Sequence, residues 1–381
     1  MTRPALLVFP FVLVSVLFAQ SDSAIDPLPA PITNNAVASV SSIGSLTLYS
    51  FMGLGAKKTW SSVTNVGLAL DAKTGAWTST RPVPGTAGRL GAIALTMRDH
   101  IFLIGGYVLD SQGGENTVPD VNVYEPASDR WFRGQDVPVP VSATVGGVYR
   151  DRYIYLISGW SKTSAVQNVQ MYDAQKSVWS QATPIPGPAV FGHAGAIVDD
   201  TIIYIDGAQK NPGGSPAYAA SDECWMGKID HKDPAKITWT KLPPHPGDAR
   251  FRIAAGGSGK DDRVYFTGGS SRPYVTSGMG FDGQPAEPSP VTFAYNLKTN
   301  KWDVIDDKVE NPTMDQRGLI VTSQYLVLIG GMSKDRAIVA DVRLLPKKPG
   351  APKPETSKPE APKPEEPKQE DPPKQEDPPK Q

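Results

Sequence analysis

The chain has 381 residues, a formal net charge of -1 and 20% charged residues, so it carries neither the basic excess of a nucleic-acid binder nor the acidic excess of a cation store. Its 36 glycines and 37 prolines predict dense turns and no helix of length. A single cysteine excludes an intrachain disulfide, leaving stability to a large hydrophobic core; within "ECWMGKI", Cys224 reads as a buried, inert strand residue.

In chain order, residues 1–21 read as a secretory leader. Arg3 supplies positive charge, Ala5 to Phe18 is apolar, and "AQS" offers small residues for cleavage. That apolar run is too short to span a bilayer of roughly 30 Å as a helix, so a secreted or periplasmic protein without stable membrane insertion is expected. The next segment, "DPLPAPITNNAVASVSS", has the form of a fourth strand running into a first one.

From there one phrase recurs: an apolar strand that stops on glycine. "LTLYSFMGLG" ends at Gly55, "HIFLIGG" at Gly106, "RYIYLISG" at Gly159, "TIIYIDG" at Gly207, "RVYFTGG" at Gly269 and "YLVLIGG" at Gly331. After each comes a variable loop, then a strand often bearing Tyr. After the first five a Trp follows: Trp77, Trp131, Trp179, Trp239 and Trp302. Most of these Trp strands run out into proline, as in "VWSQATPIP", and a small-residue strand such as "FGHAGAIV" restarts the cycle. Such a period of about 50 residues predicts an all-β, six-bladed propeller over residues 24–346. Small residues suit the crowded axis, the apolar run suits a strand buried on both faces, and Tyr and Trp fill the widening gap between sheets. The sixth unit lacks a Trp strand, so residues 25–31 are expected to complete it and close the ring.

From Pro346 the composition changes. Residues 347–381 are rich in Pro, Lys and Glu with no apolar side chain larger than alanine, which predicts a disordered tail. It reads as a solvated spacer or as a stalk contacting cell wall or a partner protein.

Propeller ligands meet the axis mouth or the loops of one rim. In register, the first-strand starts are Arg89, Ala143, His193, Arg252 and Arg317, with Arg250 just before Arg252. Converging arginines would attract an anion through charge-assisted bonds of about 1.5–3 kcal/mol each, although a rim arginine can equally bond loop carbonyls. His193 is either a packed histidine or an acid/base group. The two longest loops add Gln209, Lys210, Arg272 and Tyr274. The candidate ligand-binding set is therefore Arg89, His193, Arg252, Arg317, Gln209 and Arg272. No spacing suits a metal and no phosphate-cradling motif opens a helix, so no metal or cofactor is expected.

The repeat resembles the kelch family of β-propellers, the galactose-oxidase-like superfamily. Radical copper oxidase chemistry is excluded: that subgroup needs a Tyr–His pair and a Tyr–Cys link, and this chain has no Tyr–His dipeptide. "GLG" at Gly53 to Gly55, "PLPAPI", "GAQKNPGG" and "ITWTKLPP" are similar in place and order to the exported sialic-acid epimerase/mutarotase propellers. That resemblance implies an acid/base glutamate directly after the loop glycine, with an arginine six residues on. Here the positions are Ala208 and an Arg-free stretch over 211–220, whereas Arg317 matches a family arginine. Protein-binding kelch domains, with an Arg-rich rim, are a third resemblance. Two functions follow. One is an exported, monomeric module binding a glycan or protein ligand at an Arg-bearing mouth. The alternative is a mutarotase or epimerase of an acidic sugar such as sialic acid, with His193 or Asp206 as nominal acid/base. Whether the chain is an enzyme stays open at this point.

Overall fold

The computed structural model describes residues 25–85 and 88–349; the leader expected over 1–21 and the tail beyond residue 349 lie outside them. Among the described residues, six antiparallel blade sheets follow one another along the chain, with two further two-stranded ribbons in the connecting loops. Blade 3 shows the pattern: Val145–Tyr149, Tyr153–Ile157, Val169–Asp173 and Val178–Ala182 pair in sequence order. Its second strand is buried at every position, as its unbroken apolar run requires. Six core clusters each straddle one blade–blade boundary. For example, Tyr155 and Tyr204 join blades 3 and 4, and Leu48 and Val327 join blades 1 and 6. The expected six-bladed, all-β propeller is the fold observed.

The closing glycines have a steric cause. Gly105 and Gly330 adopt φ of 62° and 68°, and a Cβ on either would run into the carbonyl oxygen of Val141 or Ile32, where the chain starts the next blade. The aromatic wedges also meet as expected. Ring centroids of the third-strand Tyr and fourth-strand Trp lie 4.9, 5.1 and 4.8 Å apart in Tyr124–Trp131, Tyr172–Trp179 and Tyr295–Trp302.

Each Trp does more than fill space: its indole N–H donates to a carbonyl at the outer end of the preceding blade. The acceptors are Asp26 for Trp77 (2.9 Å), Arg81 for Trp131 (3.0 Å), Gln135 for Trp179 (3.0 Å), Thr183 for Trp239 (3.4 Å) and Pro243 for Trp302 (2.9 Å). Blade 6 has no Trp, and Arg343 donates to the Glu310 and Asn311 carbonyls in its stead.

Ring closure can be read residue by residue. In five blades a buried apolar residue beyond the fourth strand donates its N–H to the segment leading the third strand: Val83 to Asn65, Val137 to Pro119, Ile185 to Gln167, Leu242 to Cys224 and Val309 to Pro290. Leu28, 3% exposed, makes the same bond to Ala340 at 2.8 Å. The segment at 25–31 therefore docks where the last blade lacks a strand, although its pairing is too sparse to count as one. Blade 6 is a three-stranded sheet of Ile320–Val321, Tyr325–Ile329 and Val342–Pro346. Lys347, expected to begin the tail, is instead anchored: its ammonium bonds the Thr322 carbonyl at 2.7 Å and pairs with Asp261 at 2.5 Å. Among the described residues no helix is long and apolar enough to cross a membrane.

Candidate functional site

Just before each first strand, the chain passes through one residue in the left-handed region. These residues are Asn34, Gly91, Ala143, Gly192, Arg252 and Asp315, with φ between 48° and 69°. Such backbone is uncommon outside glycine and costs about 1–2 kcal/mol per residue. A hydrogen-bonded belt holds it: Asn34 N–H donates to Asp315 O (3.0 Å), Ala143 to Gly91 O (2.8 Å), Gly192 to Ala143 O (2.8 Å), and Arg252 to Gly192 O (2.7 Å). Gly91 N–H donates to the Asn34 side-chain oxygen at 2.5 Å. Below the belt, the first strands surround an axial cavity of about 210 Å³, lined among others by His193, Gln316 and Arg317.

The belt positions explain which arginines meet. Asp315, 1% exposed, accepts from Arg252 Nη1 at 2.6 Å, Asn34 Nδ2 at 3.1 Å and Thr33 Oγ1 at 3.1 Å. Arg317 Nη2 stands 3.9 Å from the same carboxylate. Burial alone would depress the Arg252 pKa; Asp315, then Tyr107, carry it above the ordinary value. For Arg317 the pull of the same carboxylate is outweighed. Burial first and the Arg252 charge second lower it to about 10. Two hydroxyls join the cluster. Tyr107 and Tyr274 are 3% and 1% exposed, the Arg252 guanidinium lies 5.1 Å from the Tyr274 ring centroid, and both phenols lie in the field of Arg252, Asp315 and Arg317. Among the described residues, Arg252 Nε, Arg317 Nε, Arg317 Nη2 and both Tyr oxygens are buried without a hydrogen-bond partner. Buried polar groups are normally paired, so five such atoms gathered around one carboxylate set this cluster apart from the rest of the core.

The other expected residues are placed elsewhere. Arg89 precedes the belt by two residues, as Arg250 does in blade 5. Its Nη1 bonds Asn122 Oδ1 at 3.0 Å, and its charged neighbours are Asp120 and Arg133 rather than the mouth arginines. It takes the between-blade slot that Val141 and Val190 fill in blades 3 and 4. His193 lines the cavity, 5% exposed, with Nε2 donating to Ile157 O at 2.9 Å and Nδ1 unpartnered. Burial lowers its pKa to about 3, so it stays neutral. Gln209 is half-buried on the ribbon formed by Ala208–Lys210 and Tyr218–Ala220. Arg272 is a loop staple, bonding Asp282 at 2.6 Å and the Pro285 carbonyl at 2.8 Å.

An aromatic wall flanks the mouth. Trp160, Phe191, Tyr218 and Phe281 contact one another in sequence with centroids 4.9–5.3 Å apart, and Phe191 continues to Phe251 and Tyr274. A hairpin of Tyr107–Leu109 and Glu115–Thr117 brings Glu115 toward Arg252, Tyr107 and Tyr218. Sequence reasoning passed over Asp315, Tyr107 and Glu115. The usable signal for Tyr107 was its place directly after the closing Gly pair, the position held by Trp160, Ala208, Ser270 and Met332 in the next blades. Ala208 is fully buried against Phe191, so the acid/base position implied by the sialic-acid resemblance bears no functional group.

Asp206 does not reach the mouth. Its carboxylate is fully buried, accepting from Arg250 N–H at 2.8 Å and facing His245 Nε2 at 2.9 Å. With Cys224 these side chains place three possible ligand atoms within 4.8 Å of one another, a grouping that sequence spacing did not reveal. Burial pushes the Cys224 thiol up to about 12, keeping it protonated and a poor ligand. His245 Nδ1 is taken by the Pro246 carbonyl at 2.9 Å. Asp206 ties blade 4 to the start of blade 5 as Ser158, bonded to Val190, ties blade 3 to blade 4.

No family model matches the chain. Kelch-like protein 15 of Danio rerio is 23% identical over 232 residues, which is 61% of this chain but 37% of that protein, so the match spans little more than a third of its length. N-acetylneuraminate epimerase 1 of Escherichia coli O6:H1 is 25% identical over 313 residues, covering 71% of this chain and 80% of that protein. The solved structure of YjhT superposes with a TM-score of 0.67 at 18% identity, covering 84% of this chain and 96% of that one; at this identity the likeness speaks to fold alone. The chain is a six-bladed β-propeller related to the kelch and galactose-oxidase-like propellers.

Proposed function

We propose that this propeller binds an acidic sugar at its axis mouth and speeds the interconversion of its anomers. The observation that carries the reading is the Arg252–Asp315–Arg317 cluster with its unpartnered buried donors. Asp315 neutralises Arg252 and leaves Arg317 with two free N–H groups, a fork suited to a carboxylate. The Tyr107 and Tyr274 hydroxyls suit sugar oxygens, and the wall of Trp160, Tyr218 and Phe281 suits the apolar face of a ring. The similarity to N-acetylneuraminate epimerase 1 over most of that protein's length supports the same substrate class. In this reading the protein acts as a monomer outside the cytoplasm, in keeping with the leader expected over residues 1–21.

The test is proton NMR of a freshly dissolved N-acetylneuraminate anomer, with and without the protein. A clearly faster approach to the anomeric equilibrium is expected. The buried alanine at position 208 favours a second reading, a binding module for a glycan or protein without catalysis. Saturable binding with no acceleration selects that reading, and neither binding nor acceleration removes the acidic-sugar assignment.

A further inference from the structure

We infer that Glu115 is the general base of this mouth, working beside Tyr107 as the proton donor. The inference rests on the acidic-sugar reading above and supplies the acid/base pair that Ala208 withholds.

The geometry begins with the hairpin register. Tyr107 pairs with Thr117 and Leu109 with Glu115, so strand alternation sets all four side chains on one face of the ribbon. That face points inward: Tyr107 and Thr117 are 3% and 6% exposed, and Thr117 Oγ1 bonds the Ser161 carbonyl of blade 3 at 3.2 Å. Asn116, on the other face, is exposed. Glu115 is thus the diagonal neighbour of Tyr107, within reach of a long side chain. Among the described residues no ion pair within 4 Å holds its carboxylate, and the Tyr107 hydroxyl is the hydrogen-bonding side chain that faces it. Asp315, the other carboxylate of the mouth, is by contrast engaged by four residues. Glu115 is also open to solvent as a residue, so a ligand can reach it. Its carboxyl end is nevertheless crowded enough that desolvation raises its pKa, with Arg252 and then Tyr107 pulling it back. A base shifted toward neutrality is better matched to proton transfer.

The chemistry balances without a cofactor. Opening a cyclic keto-sugar breaks the bond between the anomeric carbon and the ring oxygen. The anomeric hydroxyl gives its proton to the Glu115 carboxylate as its O–H electron pair becomes the second carbonyl bond. The ring oxygen keeps the pair from the broken bond and takes a proton from the Tyr107 hydroxyl. Closure on the other carbonyl face returns both protons to where they began. Burial holds the Tyr107 phenol protonated, as a donor must be, and Arg317 anchors the carboxylate that turns the anomeric centre toward the hairpin.

The experiment compares the wild-type chain with Glu115→Gln and Tyr107→Phe, measuring N-acetylneuraminate affinity by calorimetry and anomer exchange by NMR. Glu115 is itself exposed and the change to Gln keeps its shape; an unchanged circular dichroism spectrum checks the fold. The expected result is exchange at least a hundredfold slower in Glu115→Gln with Kd within threefold of wild type, as loss of a general base implies. Exchange in Glu115→Gln equal to wild type overturns the inference and leaves the acidic-sugar reading standing. No acceleration by the wild-type chain itself removes both.

Discussion

Two arginines in one mouth should respond to the same substitution with opposite signs. Arg317→Met removes a buried charge whose nearest carboxylate, Asp315, stands 3.9 Å away and is already held at 2.6 Å by Arg252. The guanidinium pKa is held down to about 10 against an ordinary 12.5, by burial and then by Arg252. At about 1.4 kcal/mol per pH unit, keeping it charged at neutral pH costs about 3 kcal/mol. The sign follows from linkage: the unfolded chain holds this proton more tightly, so the penalty is full at any pH below about 10 and relieved only above it. Methionine fills similar length without charge, while Asp315 keeps Arg252 at 2.6 Å. A gain of about 1–3 kcal/mol is expected, or on the order of 2 °C in Tm for each kcal/mol, together with loss of acidic-sugar binding. Arg252→Met strips Asp315 of its close partner and leaves a buried carboxylate beside it, a loss of about 3–5 kcal/mol. Urea denaturation of both variants at pH 7 is the assay. If Arg317→Met lost more than about 1 kcal/mol, Arg317 would be a structural strut and the unpaired fork would be no binding device.

Anomer exchange should lose rate as pH falls, because the Glu115 base must be ionised; the acid limb is expected above pH 4.5, since burial outweighs Arg252 and Tyr107 in setting its pKa, and it should vanish in Glu115→Gln. Leu28→Ala should cost about 2–5 kcal/mol, as for a core leucine elsewhere, because the ring closes through it. Trp77→Phe should cost about 0.5–1.5 kcal/mol by removing the bond to Asp26. Both closure variants should speed limited proteolysis near the N-terminus; resistance equal to wild type would separate the segment from closure. Cys224, 1% exposed with its thiol pushed up to about 12, should resist a thiol reagent in native buffer and react fully in urea; native labelling would contradict its burial.

The architecture was legible because it is written in residues with one steric job. Only glycine tolerates the carbonyl that the next blade presses against Gly105 or Gly330, and in five blades a Trp both fills the outer gap and donates across it. Leu28 could be matched to Ile185 by its proline-flanked pattern before any coordinates. The site was less legible because its frame is a backbone conformation rather than a side chain. The belt positions are Asn, Gly, Ala, Gly, Arg and Asp, united by positive φ and by nothing in composition. Without that frame the aligned arginines fell out of register: Arg89 two residues before the belt, Arg252 on it, and Arg317 two after. Arg252 and Arg317 still meet, because Asp315 lies between their side chains; Arg89 turns into the gap between blades. Tyr107 and Glu115 share one hairpin, but Asp315 comes from another blade more than 200 residues on in the sequence, so no local motif joins the three. Likewise residues 206, 224 and 245 share a buried contact that spacing along the chain hides.

The most direct measurement is a crystal structure of the full chain with bound N-acetylneuraminate. The account expects the ligand carboxylate within hydrogen-bonding distance of Arg317 Nε and Nη2, with the anomeric carbon facing the Tyr107–Glu115 hairpin. Ligand density in another cleft, or Arg317 swung onto Asp315 with the mouth closed, would contradict it.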